Sequence, residues 1–131
     1  MTGSVDLTRL VEKAKGNIDQ AVRQCVILAS QGVVMNTPVL TGALRGSWSF
    51  GVGHPERAEY PADKAGIATI NRIAAAMQDQ VAGPKFFVTT ALPYARRIEY
   101  EGWSSKSPQG MVRVTIADLP DAIRKFVRGE L

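Results

Sequence analysis

The chain has 131 residues, 45% hydrophobic and 21% charged, with a formal net charge of +4, which points to one domain over 1–131 holding one substantial core. No apolar run nears the ~20 residues of a membrane-spanning helix, and the opening stretch mixes charges of both signs without a signal-peptide apolar region. The single cysteine, Cys25, can form no internal disulfide, so folding in a reducing cytoplasm, or in something assembled there, is the expectation.

In chain order, the first expected element is a long helix over 4–35, capped by Ser4 or Asp6. Leu7, Leu10, Val11, Ala14, Ile18, Ala21, Val22, Cys25, Leu28 and Val33 recur at helical spacing. Thr37 precedes Pro38 and is biased away from helix, which ends the element near Met35. Unbroken, it would be roughly 45 Å long at ~1.5 Å per residue, longer than a domain of this size, and Gly16-Asn17 is its weak point. Residues 22–29 are apolar nearly all round, so they need cover on more than one side. That cover could be the chain's own elements or a neighbouring subunit.

Pro38 and Gly42 mark a turn, and Leu44, Gly46, Trp48, Phe50 and Val52 alternate as a strand over 44–52 would. Residues 54–64 read as a mobile surface loop. A second helix is expected over 63–82, with Asp63 as cap and Gly83-Pro84 as stop. A second strand, 85–91, could pair with the first, and a short helix follows over 93–101. For 107–129, Ser107-Pro108 gives a helix-start signal. Val112, Val114 and Ile116 nevertheless alternate as in a strand, so 111–117 stays open between the two. A C-terminal helix kinked near Pro120 is the favoured form. The fold class expected is α+β: a long N-terminal helix on a small antiparallel sheet, with two or three further helices.

Residues for chemistry are sparse. The lone histidine, His54, sits in a Gly/Pro-rich loop, and Cys25 lies on the apolar stripe of a helix, where cysteine acts as a small hydrophobe. Gly51-Val52-Gly53 lacks the rest of a phosphate-loop motif. Glu99 and Glu101 are two apart and point in different directions on a helix. No catalytic, cofactor or metal site is expected. The segment 94–103 differs in kind: Arg96 and Arg97 lie within helical reach of Glu99 and Glu101, beside Tyr94, Tyr100 and Trp103. Tyr, Trp and Arg are the types most enriched at interface hot spots. The same segment is also compatible with a solvated helix face.

Two stretches, NTPVLTGALRGSW and TTALPYARRIEYEGWSSKSPQGMVRVTI, resemble the minor tail or neck proteins of tailed bacteriophages. A turn on Pro38, Thr41, Gly42, Leu44 and Arg45 carries the likeness. So do a Tyr-Ala step on Tyr94 and Ala95, an acidic run on Glu99, Gly102 and Trp103, and a final segment on Pro108, Gly110, Met111, Val112 and Arg113. Glu101 interrupts the usual Glu-Tyr-Gly, and 54–82 carries no motif of this group. The resemblance covers roughly 36–50 and 86–117.

That resemblance implies a non-enzymatic virion protein of the head–tail junction or tail, assembled in the host cytoplasm. It would be a head–tail connector, neck or tail-completion subunit forming a homo-oligomeric ring, with six copies one stoichiometry open to it. It implies neighbouring connector and tail-tube proteins, transient contact with DNA in the channel, no cofactor and no membrane. Pro38, Thr41, Gly42, Leu44, Arg45, Trp48, Tyr94, Arg96, Arg97, Glu99, Trp103, Met111 and Arg113 are the candidate subunit contacts. Two alternatives remain: a tail terminator capping the tube, and a small nucleic-acid-binding module using Arg124, Lys125 and Arg128.

Overall fold

Helix α1 (Thr8–Lys13) stops at Lys15 and Gly16, both with positive φ (56° and 84°). The Gly16 amide bonds back to Val11 O and the Lys15 amide to Glu12 O, the paired bonds that close a helix and turn the chain away. Asn17 then starts α2 (Ile18–Met35), its side chain accepting from the Gln20 amide at 3.1 Å. The expected continuous helix over 4–35 is therefore two helices, and the long one is the second. The break falls at the Gly16-Asn17 weak point. The computed structural model describes residues 7–56, 58–102 and 104–130.

The rest follows as α3 (Ala43–Ser47), β1 (Ser49–Val52), α4 (Ile67–Met77), β2 (Phe86–Thr89), α5 (Ala95–Tyr100) and α6 (Val112–Val127). The class is α+β, and β1 and β2 pair antiparallel with Phe50 opposite Val88. Several expected bounds change. Residues 44–47 form one helical turn, so only the second half of 44–52 is strand. The 63–82 helix shortens to α4, the 85–91 strand to β2, and 93–101 to α5. The 107–129 helix begins at Val112, and 111–117 is helical from there on. It runs through Pro120 as one helix, although an interior proline costs ~3 kcal/mol. Buried Leu119 and Ile123 flank the proline and offset that cost.

Helix α2 is the shared wall. It packs against α1, α3, α4 and α6, and of its all-round apolar stretch Leu28 is buried while Val22, Cys25, Val26, Ile27 and Ala29 are half-buried. Val33, Val34, Leu44, Trp48, Phe50, Ile73, Met77, Ile98 and Met111 form the larger cluster on one side. Leu10, Ala21, Leu28, Leu119 and Ile123 form the smaller one. Helices α2 and α6 meet closely at Gly32, where a Cβ would stand 2.6 Å from Thr115 Cγ2.

The expected surface loop at 54–64 is mostly exposed, and its described residues, 54–56 and 58–64, form a strap seated on the fold. Three glycines lie beneath its backbone: a Cβ on Gly42 would meet Lys64 N at 2.7 Å, one on Gly46 would meet Pro61 O, and one on Gly51 His54 O. Tyr60 stacks 3.4 Å from the Arg72 guanidinium, which donates to Gly46 O and Trp48 O. Asp63 is a cap as expected, though from outside the helix. It accepts from the amides of Gly66 and Thr69 and from the Thr69 hydroxyl. Those donors hold its carboxyl below the usual range against the opposing effect of desolvation.

Candidate functional site

The motif residues converge where α2 ends and α6 begins. A helix C-terminus leaves carbonyls without helical partners, and here side chains from several segments take them. Val33 O accepts from Thr37 Oγ1 at 2.6 Å, Met35 O and Thr37 O from the Arg45 guanidinium at 3.2 and 3.1 Å, and Asn36 O from Ser107 Oγ at 2.8 Å. Arg45 also donates to Lys64 O at 2.7 Å, so one planar group joins α2, α3 and the strap. A cation there also suits the negative end of the helix dipole. The Trp48 indole N–H donates to Thr37 Oγ1 at 2.8 Å. Thr41 Oγ1 accepts from the Ala43 amide, and Gly42, at φ 86°, makes the turn no side chain would tolerate beside Lys64.

The start of α6 is the mirror case. Its first amides need an acceptor, and none comes from Ser107, which the sequence offered as the cap. Glu99, only 6% exposed, supplies it from α5. Its carboxylate accepts from the amides of Met111 and Val112 at 2.7 Å and of Arg113 at 3.1 Å. Arg113 adds an ion pair at 3.1 Å and a second bond to the Glu99 carbonyl. Burial alone would raise the Glu99 pKa, but these donors outweigh it and hold the carboxyl below its ordinary range. Gly110 passes so close that a Cβ would lie 2.6 Å from Glu99 Oε2, and its φ is +92°.

These contacts separate the candidate residues into two groups. Gly42, Leu44, Trp48, Glu99 and Met111 are buried within the protomer, and Arg45 and Arg113 are half-buried and engaged with its backbone. Pro38 is half-buried, while Thr41, Tyr94, Arg96 and Arg97 are exposed. Arg96 lies 5.5 Å over the Tyr100 ring, with Arg113 5.4 Å from the same ring. Glu99 is thus turned inward to α6, away from the expected surface pairing with Arg96. Trp103 lies outside the described residues.

Pro38, Thr41 and Tyr94, but not Arg96 or Arg97, rim a groove of about 630 Å³ lined by 38–44, Tyr94, Ile98 and 104–106. Leu40 stands 90% exposed at its edge. A second hollow of about 450 Å³ adjoins it across Pro38, Val39 and Lys106. Sequence reasoning missed Leu40, and it missed the part Thr37 and Ser107 play in taking the last carbonyls of α2. A Pro-Val-Leu-Thr turn announces no exposure, and the two hydroxyls act through carbonyls supplied by the fold. Of the basic trio at the C-terminus, Arg124 pairs with Asp121 and Arg128 with Glu130, which reduces the charge available to a phosphate backbone.

Among the described residues, no group of three or more His, Cys, Asp or Glu is placed to hold a metal, and no helix is long and apolar enough to cross a membrane. Compared with protein-family models, curated proteins and solved structures, the chain matches none.

Proposed function

We propose that the chain is a structural subunit that works by self-assembly: a head–tail connector, neck or tail-completion protein of a tailed phage, forming a ring around the DNA channel. The observation that carries the assembly half of this reading is Leu40, 90% exposed beside an apolar groove. Water contact at such a side chain costs roughly 1.5–3 kcal/mol relative to full burial, and a neighbouring copy offers that burial. Support for the phage half comes from the sequence resemblance. Its motif residues close the α2 and α6 ends, and so hold the turn at 38–42 that bears Leu40 beside the groove. A ring requires two different surfaces on each copy to meet, and a knob beside a hollow suits such a contact.

The test is mass measurement of the purified protein over a concentration series, with its copy number in an imaged particle. A closed multimer is expected, and Leu40→Glu should release monomers whose melting temperature matches that of the parent diluted below its assembly concentration. A protein that stays monomeric throughout, and is missing from the particle, overturns the reading.

A further inference from the structure

One strained turn sets the direction of α1. Lys15, at φ 56°, is the only non-glycine with a positive φ among the described residues, and Gly16 follows at 84°. The space around the turn is open: a Cβ on Gly16 would meet nothing within 4 Å, and Lys15 is exposed. The bend is therefore held by where α1 docks, not by packing at the turn. The apolar stripe, meanwhile, runs through the bend in helical phase. Leu10, Ala14, Ile18, Ala21, Cys25 and Leu28 follow one another by three or four residues, as they would on one continuous helix. Two helices joined by a turn have no need of a shared phase. In the bent form Ile18 keeps its place in the stripe and is still 58% exposed.

Helix α1 has six residues, too few to persist without a slot to dock in. Its slot lies against α2 and α6, where Leu10 is 2% exposed in the smaller cluster and Lys13 donates to Val127 O. We infer that on assembly the turn at 15–17 straightens, fusing α1 and α2, and that α1 enters the identical slot of the next copy; this rests on the self-assembly reading above. A straight helix cannot fill its own slot. Leu10 and Leu28 share one cluster in the bent form, but along a straight helix they would lie roughly 27 Å apart at ~1.5 Å per residue. The slot left behind exposes Leu28, Leu119 and Ile123, and the helix that fits it is another copy's α1. Each copy then gives one helix and receives one, so two different surfaces meet at every junction, as a ring requires. Straightening trades the bonds of the Lys15, Gly16 and Asn17 amides for helical ones and removes both positive φ angles. Gly16 and the Asn17 cap hold the bend in a lone copy, where the tether keeps α1 near its own slot.

Sedimentation of the parent, Gly16→Ala and Lys15→Gly over a concentration series tests this. Gly16→Ala penalises the bend and favours the straight helix, so its half-assembly concentration should fall on the order of tenfold. Lys15→Gly eases the bend and weakens the straight helix, and should raise that concentration by a similar factor. A Gly16→Ala protein that assembles no more readily than the parent overturns the exchange. The second readout is a short bis-maleimide crosslink between Lys13→Cys and Val127→Cys, on a Cys25→Ala background. On a denaturing gel, multimers should show chains joined to one another, and monomers only links within a chain. Multimers whose links stay within single chains overturn the exchange and leave the assembly reading standing. Absence of any multimer, in the parent and in Gly16→Ala alike, overturns both. A closed dimer with its two chains joined upholds the exchange and overturns the ring.

Discussion

The two ends of the helical layer solve the same problem by different means. At the motif-bearing end, the last carbonyls of α2 and the first amides of α6 are tied by Arg45, Thr37, Ser107 and Glu99. At the other end, α1 and the tail of α6 are held by the smaller apolar cluster. There Lys13 donates to Val127 O at 3.2 Å beside the Phe126 ring, and the ion pairs are exposed. Where water reaches the backbone, almost any polar side chain suffices. Where it does not, a particular donor or acceptor must be supplied, and a missing one costs ~1–3 kcal/mol. Sequence motifs are dense at the first end for that reason.

The largest break in this contrast should come from Gly110→Ala. It adds left-handed strain and drives a Cβ toward Glu99, together about 3 kcal/mol in a urea titration. Next is Glu99→Gln, expected to cost about 2 kcal/mol at neutral pH because three amides and a guanidinium lose a charged acceptor. Folding lowers the Glu99 pKa, so its contribution is complete above the ordinary carboxylate range. It is lost as pH falls through the lower folded-state value. Melting temperature against pH should therefore fall less steeply on the acid side in Glu99→Gln than in the parent. Asp63, shifted in the same direction, keeps some slope in both.

Thr37→Val strands the buried Trp48 N–H and should cost about 1.5 kcal/mol. Combined with Trp48→Phe, the two losses should fall short of additive, and a double-mutant cycle measures the shortfall. Smallest is Arg124→Ala at the opposite end, which removes an exposed pair and should shift stability by no more than about 0.5 kcal/mol. A loss there as large as that at Glu99 would abolish the distinction between the ends.

What could be read in advance follows the range of the interactions. The α2 stripe and its break at Gly16-Asn17 were legible because periodicity and a local breaker are written in adjacent residues. The turn at 43–47 was misassigned as strand because five residues are too few to show a helical period, while Leu44, Gly46 and Trp48 alternate by chance. The ambiguity at 111–117 resolves through Glu99, twelve to fourteen residues upstream of the amides it accepts from. No window of local sequence contains that decision. The inward turn of Glu99 was hidden for the same reason, since Arg96 and Arg97 offered a nearer partner.

The strap at 54–64 touches the glycines beneath it mostly through peptide groups: Lys64 N, Pro61 O, His54 O and Glu56 N. Peptide groups are the same whatever residue carries them. In a saturation library, most strap positions should therefore accept wide replacement while Gly42, Gly46 and Gly51 accept almost none. Tolerance along this stretch would then map to the surface that receives the chain, and apart from Tyr60 and Asp63 the chain itself could drift in composition while keeping its path.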